Sequence, residues 1–98
     1  MPAAPLLSQT EIRAALAELP EWQLADDRLV RQLHFPDFAA ALAFVNLVAG
    51  TADELDHHPD VAIQWGDLTL KLWTHAAGGV TRRDLRLAME IEALVRSR

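Results

Sequence analysis

Residues 61–74, VAIQWGDLTLKLWT, alternate apolar and polar side chains on both sides of Gly66-Asp67. That alternation predicts a β-hairpin, and Gly-Asp suits its two-residue loop. With the loop at 66 and 67, Trp65 faces Leu68, Ile63 faces Leu70 and Val61 faces Leu72. The intervening pairs, Gln64 with Thr69 and Ala62 with Lys71, are largely polar, so the register separates an apolar face from a wet one. Extended past the strands, it sets His58 opposite His75, with Cβ atoms roughly 4.5–5.5 Å apart in a regular ladder. Pro59 cannot donate to that ladder and splays the strands there. By the same parity His58, His75 and Trp73 lie opposite the Val61, Ile63 and Leu72 face, an imidazole and indole patch that suits a flat heterocycle.

Outward from the hairpin the periodicity turns helical. A helix is predicted from Asp37 to about Asp56, with Phe38, Ala41, Leu42, Val45, Val48, Ala52 and Leu55 on one face. Thr81 and Asp84 read as the cap and third position of another, running towards Val95 with Leu85, Ala88, Met89 and Leu94 on its apolar side. Near the start, Ser8 and Glu11 form a capping-box pattern before Ile12, Ala15, Leu16 and Leu19, and Pro20 stops that helix. Between the first two helices, Trp22 to Phe35 reads as a hairpin turning at Asp26-Asp27, its alternation broken at Arg31. The order α-β-β-α-β-β-α predicts an α+β fold: a four-stranded antiparallel sheet with three helices packed on one face. Ninety-eight residues fit one domain, 1–98.

The composition, 51% hydrophobic and 23% charged, is that of a chain able to build a core. There is no cysteine, which excludes a disulfide framework, thiolate zinc sites and cysteine nucleophiles. A net charge of -5 weighs against nucleic acid, although Arg82, Arg83 and Arg86 form a local basic cluster. MPAAPLLSQT lacks the basic and apolar parts of a signal peptide, and FAAALAFV is too short to span a bilayer, so no membrane partner and a cytoplasmic location are expected.

Chemistry therefore falls to histidines and carboxylates. His57 continues the second helix with Asp53 one turn earlier, whereas His58 precedes Pro59 and is pushed to extended geometry, so the two rings point apart. With His75 they can surround one small substrate, giving a proton at one place and taking one at another. Any one of these histidines alone reads more simply as a cap or surface residue. Convergence of three, in a chain with four, reads as a site. His34 shows no such convergence and reads as a strand residue. A zinc site with Asp84 as a further ligand is the other option, but His-His-Pro lacks the one-turn spacing that sets two ligands on one helix face. No metal is expected. Thr81 and Asp84 also serve as helix caps, and Trp73 as an exposed aromatic or part of an oligomer interface.

Asp53, His57-His58-Pro59, Trp65, His75 and Asp84, with THAAGGVTRRDLRLA (74–88) and LHFPDFAAALAFVN (33–46), together resemble the pterin-4a-carbinolamine dehydratases, also called 4a-hydroxytetrahydrobiopterin dehydratases. The resemblance covers most of the chain. It implies the same order of elements and a hydro-lyase that converts a 4a-hydroxytetrahydropterin to the quinonoid dihydropterin without metal or organic cofactor. The pterin would come from an aromatic amino acid hydroxylase, in tetrahydrobiopterin recycling. The resemblance further implies His57, His58 and His75 as catalytic groups, Asp53 and Asp84 as supporting groups, and Pro59, Thr74, Ala76 and Ala77 with the histidines as the pterin-binding lining. Homodimers or homotetramers are implied too. Ala76, Ala77 and Trp73 depart from the animal members, whose role beside a homeodomain factor does not follow from the motif residues. A reading of another class is a non-enzymatic assembly or interaction module on the same fold.

Overall fold

The computed structural model describes residues 4–98. Its elements are α1 (Gln9–Leu16), β1 (Gln23–Ala25), β2 (Arg28–His34), α2 (Phe38–Leu55), β3 (Asp60–Gln64), β4 (Asp67–Leu72) and α3 (Arg82–Arg96). The order is the one read from the sequence. All neighbouring strands are antiparallel, in the order β1-β2-β4-β3. The helices cover one face of the sheet, where Leu29, Leu33, Leu68, Leu70 and Leu72 are buried with Ile12, Phe44, Val48, Leu87 and Ile91.

Local chemistry sets the element ends. Ser8 and Glu11 close a reciprocal capping box on α1, and the Ser8 backbone N–H holds the Glu11 carboxyl below the usual carboxylate range. Asp26 and Asp27 form the β1–β2 loop, both at positive φ, as a type I′ hairpin turn requires. The break in alternation at Arg31 has a specific cause. Arg31 shares the core face with Leu29 and Leu33, and its Nε donates to Glu92 of α3 at 2.5 Å, while the Trp22 indole N–H donates to the same oxygen at 2.8 Å. The mismatch is thus a buried ionic pin between sheet and helix.

The second hairpin departs from its predicted register. Ile63 pairs with Leu68, Ala62 with Thr69, Val61 with Leu70 and Asp60 with Lys71, so the loop is Trp65-Gly66 and Asp67 belongs to the ladder. The slip is two residues, which leaves each side chain on its predicted face. Gly66 explains it. A Cβ at that position would lie 2.0 Å from the Phe35 carbonyl oxygen, and the Phe35 N–H donates to the Gly66 carbonyl at 2.8 Å. Close approach to the end of β2 fixes the glycine, and Trp65 takes the left-handed φ of +57° with its side chain 88% exposed.

The helical stripes are also rotated from expectation. In α2 the buried row is Ala41, Phe44, Val48 and Ala52, whereas Phe38 and Leu42 are exposed, because Phe44 turns inward to pack on Phe35 with ring centroids 5.5 Å apart. By length and composition alone α2 could cross a membrane, contrary to the expectation from FAAALAFV, but that row packs on the protein core. In α3 the buried row is Asp84, Leu87, Ala88, Ile91 and Glu92, and Met89 points outward.

Candidate active site

Three chain segments meet beyond the ends of β3 and β4: the α2–β3 connection, the β4–α3 loop and the first turn of α3. Asp56 ends α2 in the left-handed conformation, φ +50°. The chain therefore turns at Asp56 rather than continuing the helix, and His57 swings into the core while His58 stays exposed. This corrects the predicted pairing of Asp53 with His57. Asp53 accepts a hydrogen bond at 2.8 Å from Nε2 of His58 instead.

The partner of His57 is Asp84. A fully buried carboxylate is costly unless its oxygens are paired, and here the cap of α3, the β4–α3 loop and the α2–β3 connection supply one donor each. Oδ1 of Asp84 accepts from His57 Nε2 at 2.5 Å, and Oδ2 accepts from the Thr81 backbone N–H and the Thr74 hydroxyl, each at 2.8 Å. Because Thr74 spends its one proton on Asp84, Thr81 must donate the 2.8 Å hydroxyl–hydroxyl bond, while Thr81 Oγ1 accepts the Arg83 backbone N–H. The chain of protons is fully directed. Among the described residues no buried side-chain nitrogen or oxygen lacks a partner, so Nδ1 of His57, which makes no such bond, reaches open space.

His75 begins a tight turn closed by Gly78 at φ +77° and by the Thr74 N–H bonded to the Gly79 carbonyl at 2.8 Å. Its imidazole stacks on Trp73, centroids 3.8 Å apart and planes 27° from parallel. Trp73 is held in turn by its indole N–H on Asp60 at 2.9 Å and by the Arg28 guanidinium 4.1 Å from its ring centre. Trp73 is therefore half-buried and engaged, not a free surface aromatic. Continued past the strand ends, the observed register sets Trp73, not His75, across from His58.

His57, His58 and His75 nevertheless line one cavity of about 310 Å3, together with Trp73, Thr74, Ala76, Asp56 and Arg83. Of the other sequence candidates, Asp53 and Asp84 stand behind two of the imidazoles, and Pro59 and Ala77 are not among the lining residues. Sequence reading missed Thr81 as a hydroxyl relay, Asp60 and Arg28 as supports of Trp73, and Arg83 as a wall. The capping pattern at Thr81 and Asp84 was the available signal for the first. His34, as read, projects from β2, where Asp67 accepts a hydrogen bond from its Nδ1 at 2.6 Å on the exposed surface. Among the described residues no group of three His, Asp or Glu side chains is gathered closely enough to hold a metal ion. Instead, Nε2 of His57 and Nε2 of His58 are turned to separate carboxylates.

Such an arrangement gathers three imidazoles around one hollow while carboxylates fix two of the rings, a geometry suited to proton transfer. The family model described as pterin 4 alpha carbinolamine dehydratase matches residues 5–94. A protein of Nocardia farcinica named "Putative pterin-4-alpha-carbinolamine dehydratase" is 44% identical, the match covering 93% of this chain and 96% of that protein. One of the same name from Paracoccus denitrificans is 46% identical over 92% and 86% of the two chains. Among solved structures, a transcriptional coactivator/pterin dehydratase from Brucella melitensis superposes with a TM-score of 0.84 at 33% identity, covering 90% of this chain and 96% of that one. By sequence across nearly its whole length and by fold, this chain belongs to the pterin-4a-carbinolamine dehydratase family.

Proposed function

We propose that the chain, residues 1–98 acting as one domain, is a hydro-lyase that dehydrates a 4a-hydroxytetrahydropterin to the quinonoid dihydropterin by histidine general acid–base catalysis. The convergence of His57, His58 and His75 on one cavity carries this reading. The C4a hydroxyl must gain a proton to leave as water, and N5 must lose one as the C4a–N5 double bond forms, so protons balance without an added cofactor or metal. His57 and His75 are the leading acid–base candidates. His58 shares or positions, its ring held by Asp53, and Asp84 positions His57. Pro59, Thr74, Ala76 and Ala77 contribute to the surface that receives the pterin edge. One such group supplies about 10²–10⁴-fold, roughly 3–5 kcal/mol of barrier. Carbinolamines also lose water unaided, so removing one histidine impairs turnover without abolishing it.

The reading couples the protein to an aromatic amino acid hydroxylase that releases the carbinolamine, in tetrahydrobiopterin recycling and in the cytoplasm. It also takes the chain as a homodimer or homotetramer, supported by the edge strand β3 and by exposed Phe38, Leu42 and Leu47 on α2. The test is the rate of quinonoid dihydropterin formation from freshly generated carbinolamine. Acceleration well above buffer supports the dehydratase. A rate equal to buffer would favour the second reading, an interaction module on the same fold, to which the coactivator name of the Brucella melitensis relative lends support.

A further inference from the structure

The basic cluster of the sequence has no part in the chemistry above. Arg82, Arg83 and Arg86, three of the nine basic side chains in a chain of net charge -5, line a second cavity of about 380 Å3 with Leu55 and His57. Among the described residues none of the three arginines has a carboxylate partner. Arg83 spends one N–H on the Asp56 carbonyl, 2.6 Å away, which leaves the rest of its fork uncommitted, and no side-chain bond holds Arg82 or Arg86. The Asp84 carboxylate beneath them is consumed by His57, Thr74 and Thr81. Three like charges around one hollow repel each other, and the positive end of the α3 dipole adds to the same field. An anion relieves that repulsion, and guanidinium forks match the oxygens of phosphate or carboxylate.

Position identifies the anion's carrier. His57 and Arg83 line both this cavity and the histidine cavity, so the two hollows adjoin. The pterin ring is neutral, and neither protonating a hydroxyl nor deprotonating N5 calls for three guanidinium groups. We propose that the Arg82–Arg83–Arg86 cavity receives an anionic group, phosphate or carboxylate, on the side chain of the pterin whose ring occupies the histidine cavity. This rests on the dehydratase reading and extends its substrate class from the uncharged biopterin carbinolamine to pterins with an acidic tail.

Neopterin and neopterin monophosphate, fluorescent and differing only in the phosphate, test it by titration against the full chain. One charge-assisted contact is worth about tenfold in affinity. The ester is therefore expected to bind about tenfold or more tightly than neopterin, and raising salt should erode the difference. In Arg82→Ala/Arg86→Ala the advantage should shrink below about threefold. Arg82→Lys/Arg86→Lys, which keeps charge and loses the fork, should fall between, and unchanged thermal melts show that both variants are folded. Inorganic phosphate should displace the ester and leave neopterin bound. Equal affinity for the two pterins, or an advantage that survives Arg82→Ala/Arg86→Ala, overturns the proposal while leaving the dehydratase reading intact. Phosphate binding that depends on the arginines without any preference for the ester also overturns it, since the site then serves a free anion. Binding of neither pterin, with no turnover of carbinolamine, removes the dehydratase reading and this proposal together.

Discussion

At the scale of single residues, Asp84 governs the candidate site. It takes three hydrogen bonds in full burial, and one of them orients His57 so that Nδ1 faces outward. Asp84→Asn keeps the shape but replaces one accepting oxygen with a donating NH2, so a donor must face a donor or His57 must move its proton to Nδ1. The expected result is a loss of about 1–3 kcal/mol in chemical denaturation. Turnover should fall at least tenfold, with an altered pH–rate profile, a change that a purely structural carboxylate would not produce. The residue types of this constellation were legible in the sequence, since His57, His58, His75, Asp53 and Asp84 all stand at the cavity or directly behind it. Their pairing was not, because it depends on the left-handed turn at Asp56, which redirects the chain after α2 and hands Asp53 to His58.

Elements whose ends are set by near neighbours were readable, and those set at a distance were not. Ser8–Glu11, Asp26-Asp27 and Thr81–Asp84 act within a few residues and fall where expected. The loop of the second hairpin was misplaced by one residue, and its pairing by two, because its glycine answers to the Phe35 carbonyl, on another strand's end. Gly66→Ala should therefore cost at least about 1–3 kcal/mol in the urea midpoint, as overpacking against backbone does. By contrast, Gly50 within α2 has nothing near its missing Cβ, and Gly50→Ala should stabilise by about 0.5–1 kcal/mol. Acid should act on α1. The Glu11 carboxyl is lowered from 4.5 by the Ser8 N–H, so its contribution is complete above pH 4.5 and is lost as pH falls through the lowered value. Amide exchange in the first turn of α1 should accelerate over that range, and Glu11→Gln should flatten the response.

For the whole molecule, the α+β architecture followed from periodicity, while the way its layers are locked together did not. Arg31 looked like a flaw in a strand, yet it joins sheet, α3 and Trp22 through Glu92, side chains 11% and 3% exposed. Glu92→Leu alone strands a buried guanidinium and should cost about 3–5 kcal/mol by denaturation. Arg31→Met/Glu92→Leu should recover most of that loss, since an apolar pair of similar bulk leaves no charge uncompensated. The exposed leucines of α2, Leu42 and Leu47, belong to this scale too. Sedimentation should find a dimer or tetramer, and Leu42→Glu/Leu47→Glu should shift it towards monomer.

The carboxylate at position 84 seals the opening turn of a helix and also backs an imidazole, so two separate demands fall on a single atom group. A longer acid would overshoot the cap, a hydroxyl would leave an acceptor short, and an amide would invert a proton. Random change at this position is thus screened twice over, once by the helix it opens and once by the ring it backs.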